Sequence, residues 1–202
     1  NIRGGVVSVS HSTFTQCGGG GISVSGGTPS FVDDTFTNNT GGPAIRYLFL
    51  PENLRASGLR ASGNNSVVGN SNYVAVGAAP NVYRGQGEWQ NPGIPIAGGS
   101  MTIPVNMSLT IDAGTVITAA VFIKGGTLSI PGTAAQPVPM ASGTQYADHV
   151  LEFDDGANGM LSHLRVNGAG GFNGAVINNS SPAIIHSTFK GGASGVVING
   201  GA

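Results

Sequence analysis

The tetrapeptide His-Ser-Thr-Phe occurs twice in the chain, at 11–14 and at 186–189. Each copy lies among short, glycine-bounded runs in which apolar and small polar residues alternate. A variant, Asp34-Thr35-Phe36, places its phenylalanine twenty-two positions after Phe14. The flanking cadence returns too, as Gly21-Ile22-Ser23-Val24 and Ser30-Phe31-Val32 near the start and Gly174-Ala175-Val176-Ile177 and Ala183-Ile184-Ile185 near the end. Self-similarity with a period in the low twenties marks a solenoid, in which each repeat is one coil stacked on the next. Alternation of apolar and polar residues marks strands. The expected fold is all-β, with almost no helix, and about nine coils at ~4.8 Å spacing would make a rod roughly 40 Å long.

Composition narrows the options. Glycine supplies 35 of 202 residues and charged residues only 8%, yet the 40% apolar content is too high for a disordered chain. Gly, Pro, Asn and Ser furnish turns, while Val, Ile, Leu and Phe fill strands. The net charge is −1 and the only lysines are Lys124 and Lys190. Nothing in that balance would neutralise a nucleic-acid backbone or hold an anionic membrane surface. The apolar run 116–123 is broken by Thr118 and is too short to span a membrane. No signal peptide is visible. The single cysteine, Cys17, is expected to be a small, buried or half-buried apolar residue without a disulfide partner.

One unit covering 1–202 is expected, in three stretches: coils at 1–76, a Pro- and Trp-containing loop at 77–100, and further coils at 101–202. In the first stretch Leu59 follows Phe36 at a similar step, twenty-three positions on, and is expected to share its inward place. Asn38-Asn39 and Asn64-Asn65 should then fall in one turn on successive coils, where amides can hydrogen-bond along the stack or simply tolerate a left-handed turn. The loop holds Trp89, the only tryptophan, with Tyr83, and is expected to lie over the stack with Trp89 packed against it. The inward ladder should comprise Phe14, Phe36, Leu59, Leu109, Ile111, Leu128, Ile130, Ile184 and Phe189.

The coils at 109–115, 126–130 and 132–138, together with the Ser-Pro-x-Ile-x-x-Ser-Thr-Phe pattern ending at Phe189, resemble those of bacterial secreted and surface-attached parallel β-helix repeat proteins. The resemblance extends over most of the chain. It implies a right-handed parallel β-helix and an extracellular or cell-surface location of bacterial type. It is a grammar of coils rather than a catalytic signature. In such chains an aromatic and proline loop opens a unit and Ser-Thr-Phe coils close it, whereas here closing coils stand at both ends. The order therefore reads as a circularly shifted segment of a longer array. Across a join of the two ends, Phe189 to Phe14 spans 13 plus 14, or 27, positions, which is one coil with a small insertion.

The densest ionisable cluster is Asp148, His149, Glu152, Asp154 and Asp155, followed by His163 and Arg165. Parallel β-helices that act on polysaccharides use aligned carboxylates as an acid and base pair or as Ca²⁺ ligands. Asp154, Asp155 and Arg165 are thus the catalytic candidates, and Glu152, Asp154 and Asp155 the Ca²⁺ candidates. The Gly-His-Gly and Arg-x-Lys patterns of β-helical polygalacturonases are absent. Acids on solvated turns are the simpler interpretation. His11 and His186, at one repeat position, are expected to be structural, and no spacing resembles a zinc site. Ser12 and Ser187 lack a nucleophile-elbow context. The threonines form no regular Thr-x-Thr ladder across many coils, so ice binding is not expected.

The leading expectation is a structural, non-enzymatic subunit of an extracellular fibre, surface layer or adhesin stalk, growing head-to-tail by coil stacking. Its partner is itself, with a cell-surface glycan as a further candidate, and no cofactor is required. Ile2, Arg3, Val6 and Val7 at one end and Val196, Val197 and Ile198 at the other are the expected assembly residues. The alternative is a polysaccharide-active or carbohydrate-binding β-helix, a lyase or hydrolase if enzymatic, with an aromatic platform from Tyr146, Trp89 or Tyr83.

Overall fold

A computed structural model describes residues 1–66, 69–70, 72–77, 81–141, 149–168, 173–190 and 192–200. The chain runs through β1 (Ile2–Arg3), β2 (Ser8–Ser10), β3 (Thr13–Thr15), β4 (Ile22–Gly26), β5 (Ser30–Val32) and β6 (Thr35–Thr37). Next come β7 (Ile45–Tyr47), β8 (Arg55–Ser57), β9 (Arg60–Ser62), the short pair β10 (Asn65–Ser66) and β11 (Gly69–Asn70), and β12 (Val74–Val76). The middle holds β13 (Gln86–Trp89), β14 (Ile96–Pro104), β15 (Ser108–Ile111), β16 (Ile117–Lys124), β17 (Thr127–Pro131) and β18 (Val138–Ala141). It closes with β19 (His149–Asp154), β20 (Asn158–Ser162), β21 (Leu164–Asn167), β22 (Asn173–Asn178), β23 (Ala183–Ile185), β24 (Thr188–Lys190) and β25 (Val196–Asn199). Among the described residues there is no helix, hence none long and apolar enough to cross a membrane.

These strands wind into a right-handed parallel β-helix of about 8 turns. One set of ladders runs β1-β4-β7-β12-β14-β16 and divides at β16, one branch leading to β18, β21 and β24 and the other to β19, β22 and β25. A second face begins with β2-β5-β8 and continues, through a bridge from Leu54 to Trp89, into β13-β15-β17-β20-β23. The place after the second face is taken by the separate sheet β3-β6-β9 at one end and by the β18-β21-β24 branch at the other. The long strands β14 and β16 turn a corner: Ile96 pairs with Val74, while Val121 pairs with Leu151. Among the described residues every ladder between these strands is parallel, except in the β10–β11 hairpin.

The core is the stacked interior of the rungs. Phe36, Leu59, Leu109, Ile111, Leu128 and Ile130 are buried, and Phe14, Ile184 and Phe189, on the outermost rungs, are half-buried against them. Leu109 and Leu128 are register partners, at a shorter step than the first coils take. Leu59 corrects the sequence expectation. The register partner of Phe36 is Ala61, and Leu59 lies one corner earlier, where its N–H donates to the Pro92 carbonyl. The corner residue before it, Gly58, has φ 64°, matching Asp33 at φ 54°. Leu59 therefore falls in the row of Asp34, because the step from Phe36 to Ala61 is three positions longer than that from Phe14 to Phe36.

The stretch 77–100 also departs from expectation. It is not a loop over the stack but supplies β13 and the start of β14. Trp89 pairs with Ile111 and is 1% exposed. Its indole N–H donates to the Pro51 carbonyl, and Tyr83 meets it edge-on with ring centroids 6.4 Å apart. The prolines mislead because Pro92 and Pro95 sit at corners, where their carbonyls accept from Leu59 and Val74 and no proline N–H is needed.

Candidate functional site

Three sets of residues could carry function: the polar corners, two ionisable clusters, and the two ends of the stack.

At the corner between the second and third faces, one backbone shape recurs. His11, Asp33, His163 and His186 have φ of 51°, 54°, 51° and 50°. The left-handed turn points these side chains outward, His163 half-buried and the other three exposed, and tucks the next residue inward. At two of the four corners that next residue caps the coil before it. Asp34 Oδ1 accepts the Ser12 N–H at 2.9 Å, and Ser187 Oγ accepts the Leu164 N–H at 3.0 Å. The histidines stack outside, with the His163 and His186 rings 5.0 Å apart and His11 Nε2 3.6 Å from Asp33 Oδ2. His11 and His186 thus stand on turns as expected, on different coils.

The next corner holds an asparagine ladder, built differently from amide-on-amide stacking. Asn39 Oδ1 accepts the Cys17 N–H at 2.8 Å, and Asn64 Oδ1 accepts the Asn39 N–H at 2.9 Å. Their amide N–H groups donate to the Phe14 and Phe36 carbonyls. Each asparagine therefore ties side chain to backbone across coils, while Asn38, at φ 55°, takes the left-handed turn. Cys17, half-buried and without a disulfide, holds the first place of this ladder.

The first ionisable cluster is organised around Lys124. Its ammonium lies 2.8 Å from both Glu152 Oε1 and Asp154 Oδ2. His149 Nε2 is 2.9 Å from Glu152 Oε2. An amide chain extends the network, from Asn199 to Asn178 Oδ1 and from Asn178 to Glu152. Burial alone would lower the Lys124 pKa, but its hydrogen bonds to Asp154 and Glu152 raise it. The same bond to Lys124 lowers the Asp154 pKa. These carboxylates converge on an ammonium, so neither is a free acid or base. Asp155, at φ 58°, turns the chain out of β19. Arg165 lies on β21 between Pro139 and Thr188, a row distinct from Asp154 with Lys124. Among the described residues, no three His, Cys, Asp or Glu side chains gather as a metal site. Asp148 lies outside the described residues.

A second pair escaped the sequence reading. Asp112, beyond the end of β15, hydrogen-bonds with Glu88 of β13, and its pKa is pushed up to about 6 by burial first, then by that bond and the neighbouring charge. The two stand one coil apart in sequence, which is the signal that could have found them. Of the rings expected to form an aromatic platform, Tyr83 and Trp89 are core residues, and Tyr146 lies outside the described residues. Burial raises the Tyr83 hydroxyl pKa to about 12, against a lowering bond from the Gly87 N–H.

The ends are open. At one, Ile2, Val7, Val9 and Phe14 are only half-buried, Arg3 is exposed and Val6 is 88% exposed. At the other, Ile198 is 69% and Val196 39% exposed, with Val197 and Phe189 half-buried. Among the described residues β1 pairs only with β4 and β25 only with β22, so each presents one unpaired edge. What these observations define is a parallel β-solenoid whose first and last described rungs each keep one unpaired edge. Compared with family models, curated proteins and solved structures, the chain matches none.

Proposed function

We propose that the chain is a structural segment of an extracellular β-helical fibre, surface layer or adhesin stalk of bacterial type, extended head-to-tail by coil stacking. The observation that carries this reading is the pair of open cross-sections. Each presents strand edges and an apolar ladder, Phe14 with Val9 at one end and Phe189 with Ile184 at the other. Unpaired edges of this kind are templates for another strand. Lateral faces rich in Ser, Thr and Asn with few charges suit a load-bearing rod, and a cell-surface glycan is the external partner such a face could meet. The bacterial, surface-attached setting rests on the resemblance of the coils alone. The enzymatic alternative has less support, because Lys124 occupies Glu152 and Asp154 and the rings of Tyr83 and Trp89 are buried. Electron microscopy and light scattering of the purified chain test the proposal. Rods lengthening with concentration are expected, and a stable monomer at all concentrations overturns it.

A further inference from the structure

Along one line of the stack the outward side chains are small, and basic groups stand to either side of them. Strand alternation turns Ala75, Ala97, Thr118 and Ala141 out of the core, while Val74, Ile96, Ile117 and Met140 beside them are buried. The four share one register row: Ala75 pairs with Ala97, Ala97 with Thr118, and Thr118 with Ala141. Arg46 precedes Ala75 in the row, and Asn167 and then Lys190 follow Ala141. Successive places are one rung apart, ~4.8 Å. Two hollows of about 420 Å³ each lie on this row. In the first, Tyr73 stands beside a floor of Ala75, Ala97 and Gly98. The second is lined by Arg165, Val166, Asn167, Thr188 and Lys190. Ala141 joins them, because it pairs with Asn167 on one side and Thr118 on the other.

The cations of this groove are not neutralised. Among the described residues Arg46, Arg165 and Lys190 have no carboxylate within ion-pair range, whereas Lys124 has two. Arg165 and Lys190 are exposed on adjacent coils, and Thr188 pairs with Arg165 two positions before Lys190. A guanidinium fork beside an ammonium and a hydroxyl suits a carboxylate. What fills the groove has to be read by side chains. Each of β12, β14, β16 and β18 is paired on both sides, so an extended peptide finds no strand edge here. A linear glycan needs none. Its rings can lie on small residues and on the face of Tyr73, with hydroxyls toward Thr118 and Asn167. Thr118 Oγ1 donates to the Ile96 carbonyl and keeps its lone pairs for such a hydroxyl.

We infer that this groove binds a linear acidic glycan, its carboxylates held by Arg165 and Lys190 and its sugar faces laid along Tyr73, Ala75 and Ala97. The inference rests on the glycan partner of the proposed function, gives that partner a site and a charge, and is independent of head-to-tail stacking. The groove follows the branch of the sheet through β18, β21 and β24, away from the Lys124 cluster, whose acids lie on β19.

Calorimetric titration of the whole chain tests this, with oligomannuronate and with a neutral mannan oligosaccharide of the same linkage and length. The two differ in a carboxylate against a hydroxymethyl group. The acidic one should bind and the neutral one should not, and added NaCl should weaken the binding because the cations are exposed. Arg165→Gln combined with Lys190→Gln should weaken it about tenfold, as expected of two solvent-exposed charge pairs. Ala97→Phe, which fills the floor, should weaken it at an unchanged unfolding midpoint. If that variant is destabilised, Tyr73→Ala replaces it. Equal binding of the neutral oligosaccharide, or full affinity in the Arg165 and Lys190 double variant, would overturn the inference while leaving a glycan partner in place. Tighter binding of dextran sulfate or polyglutamate than of oligomannuronate would show a surface for polyanions at large and overturn it too. Binding of no glycan would remove both the groove and the glycan partner, and leave head-to-tail stacking, which light scattering reads separately, untouched.

Discussion

Asp34 is one of four described residues with a buried side-chain polar atom that has no hydrogen-bond partner. It is fully buried, its Oδ1 caps the Ser12 N–H, and its Oδ2 has no hydrogen-bond partner. At the following corner the comparable places are amides. Asn39 and Asn64 use one atom to accept from the preceding coil and the other to donate to a carbonyl of that coil. A carboxylate has no proton for the second bond, and a buried acceptor without a donor carries its full desolvation cost. Asp34→Asn should therefore stabilise the fold by about 1–3 kcal/mol. Guanidinium denaturation checks this, and an unchanged or lower midpoint would refute it. Phe36 makes the opposite case. It is fully buried and stacks on Phe14 with centroids 5.0 Å apart and planes 11° from parallel. Phe36→Ala should cost about 3–5 kcal/mol, since rungs above and below prevent collapse into the void. A loss below about 1 kcal/mol would remove Phe36 from the ladder. At this scale the sequence was legible where a motif repeated. Asp34 against Ser187 could be aligned by eye, but that both cap a backbone N–H required the left-handed corner to be seen.

At the scale of elements, alternation located the strands and the coil step placed Leu109 on Leu128. It misplaced Leu59 because the step lengthens between the second and third coils, where Phe36 stacks on Ala61. Proline spacing hid β13 and β14, since a proline at a corner carbonyl reads in sequence like a loop. The Lys124 cluster was half legible. The acids are adjacent in sequence, but the lysine that neutralises them comes from the coil before. The Asp112–Glu88 contact, between the ends of β15 and β13, leads to a pH dependence. Asp112 holds its proton more tightly folded, about 6, than its ordinary value of 3.8. The resulting stability is fully present below pH 3.8 and is lost as pH rises through about 6. Because Asp112 is only half-buried and Glu88 is exposed, solvent screening should hold the loss to the order of 1 kcal/mol or less. Thermal denaturation across that window should show the decline, and Asp112→Asn should flatten it. An identical slope in the variant would exclude Asp112 as its source.

Across the whole molecule, a periodic sequence declares its architecture because every coil repeats the same choice between inside and outside. The ends are where that repetition leaves groups unmatched, and the direction of their N–H groups can be worked out. Ala175 N–H donates to the Gly195 carbonyl, so in a parallel ladder the Val197 N–H points back to β22, and those of Val196 and Ile198 point to the open edge. A proline at Ile198 thus removes a donor that points away from β22 and that the proposed stacking would use, whereas a proline at Val197 breaks a bond within the chain. Ile198→Pro should abolish polymers while leaving the unfolding midpoint nearly unchanged, and Val197→Pro should lower the midpoint as well. The contact would also carry little charge. Arg3 and Lys190 are the lysine or arginine residues on the end strands β1 and β24, and the ladder groups are backbone and apolar. Raising NaCl to about 1 M, where charge screening acts within ~3 Å, should leave polymer length by light scattering unchanged. Rods that dissolve in that salt, or that survive Ile198→Pro, would show that something other than strand edges holds the copies together.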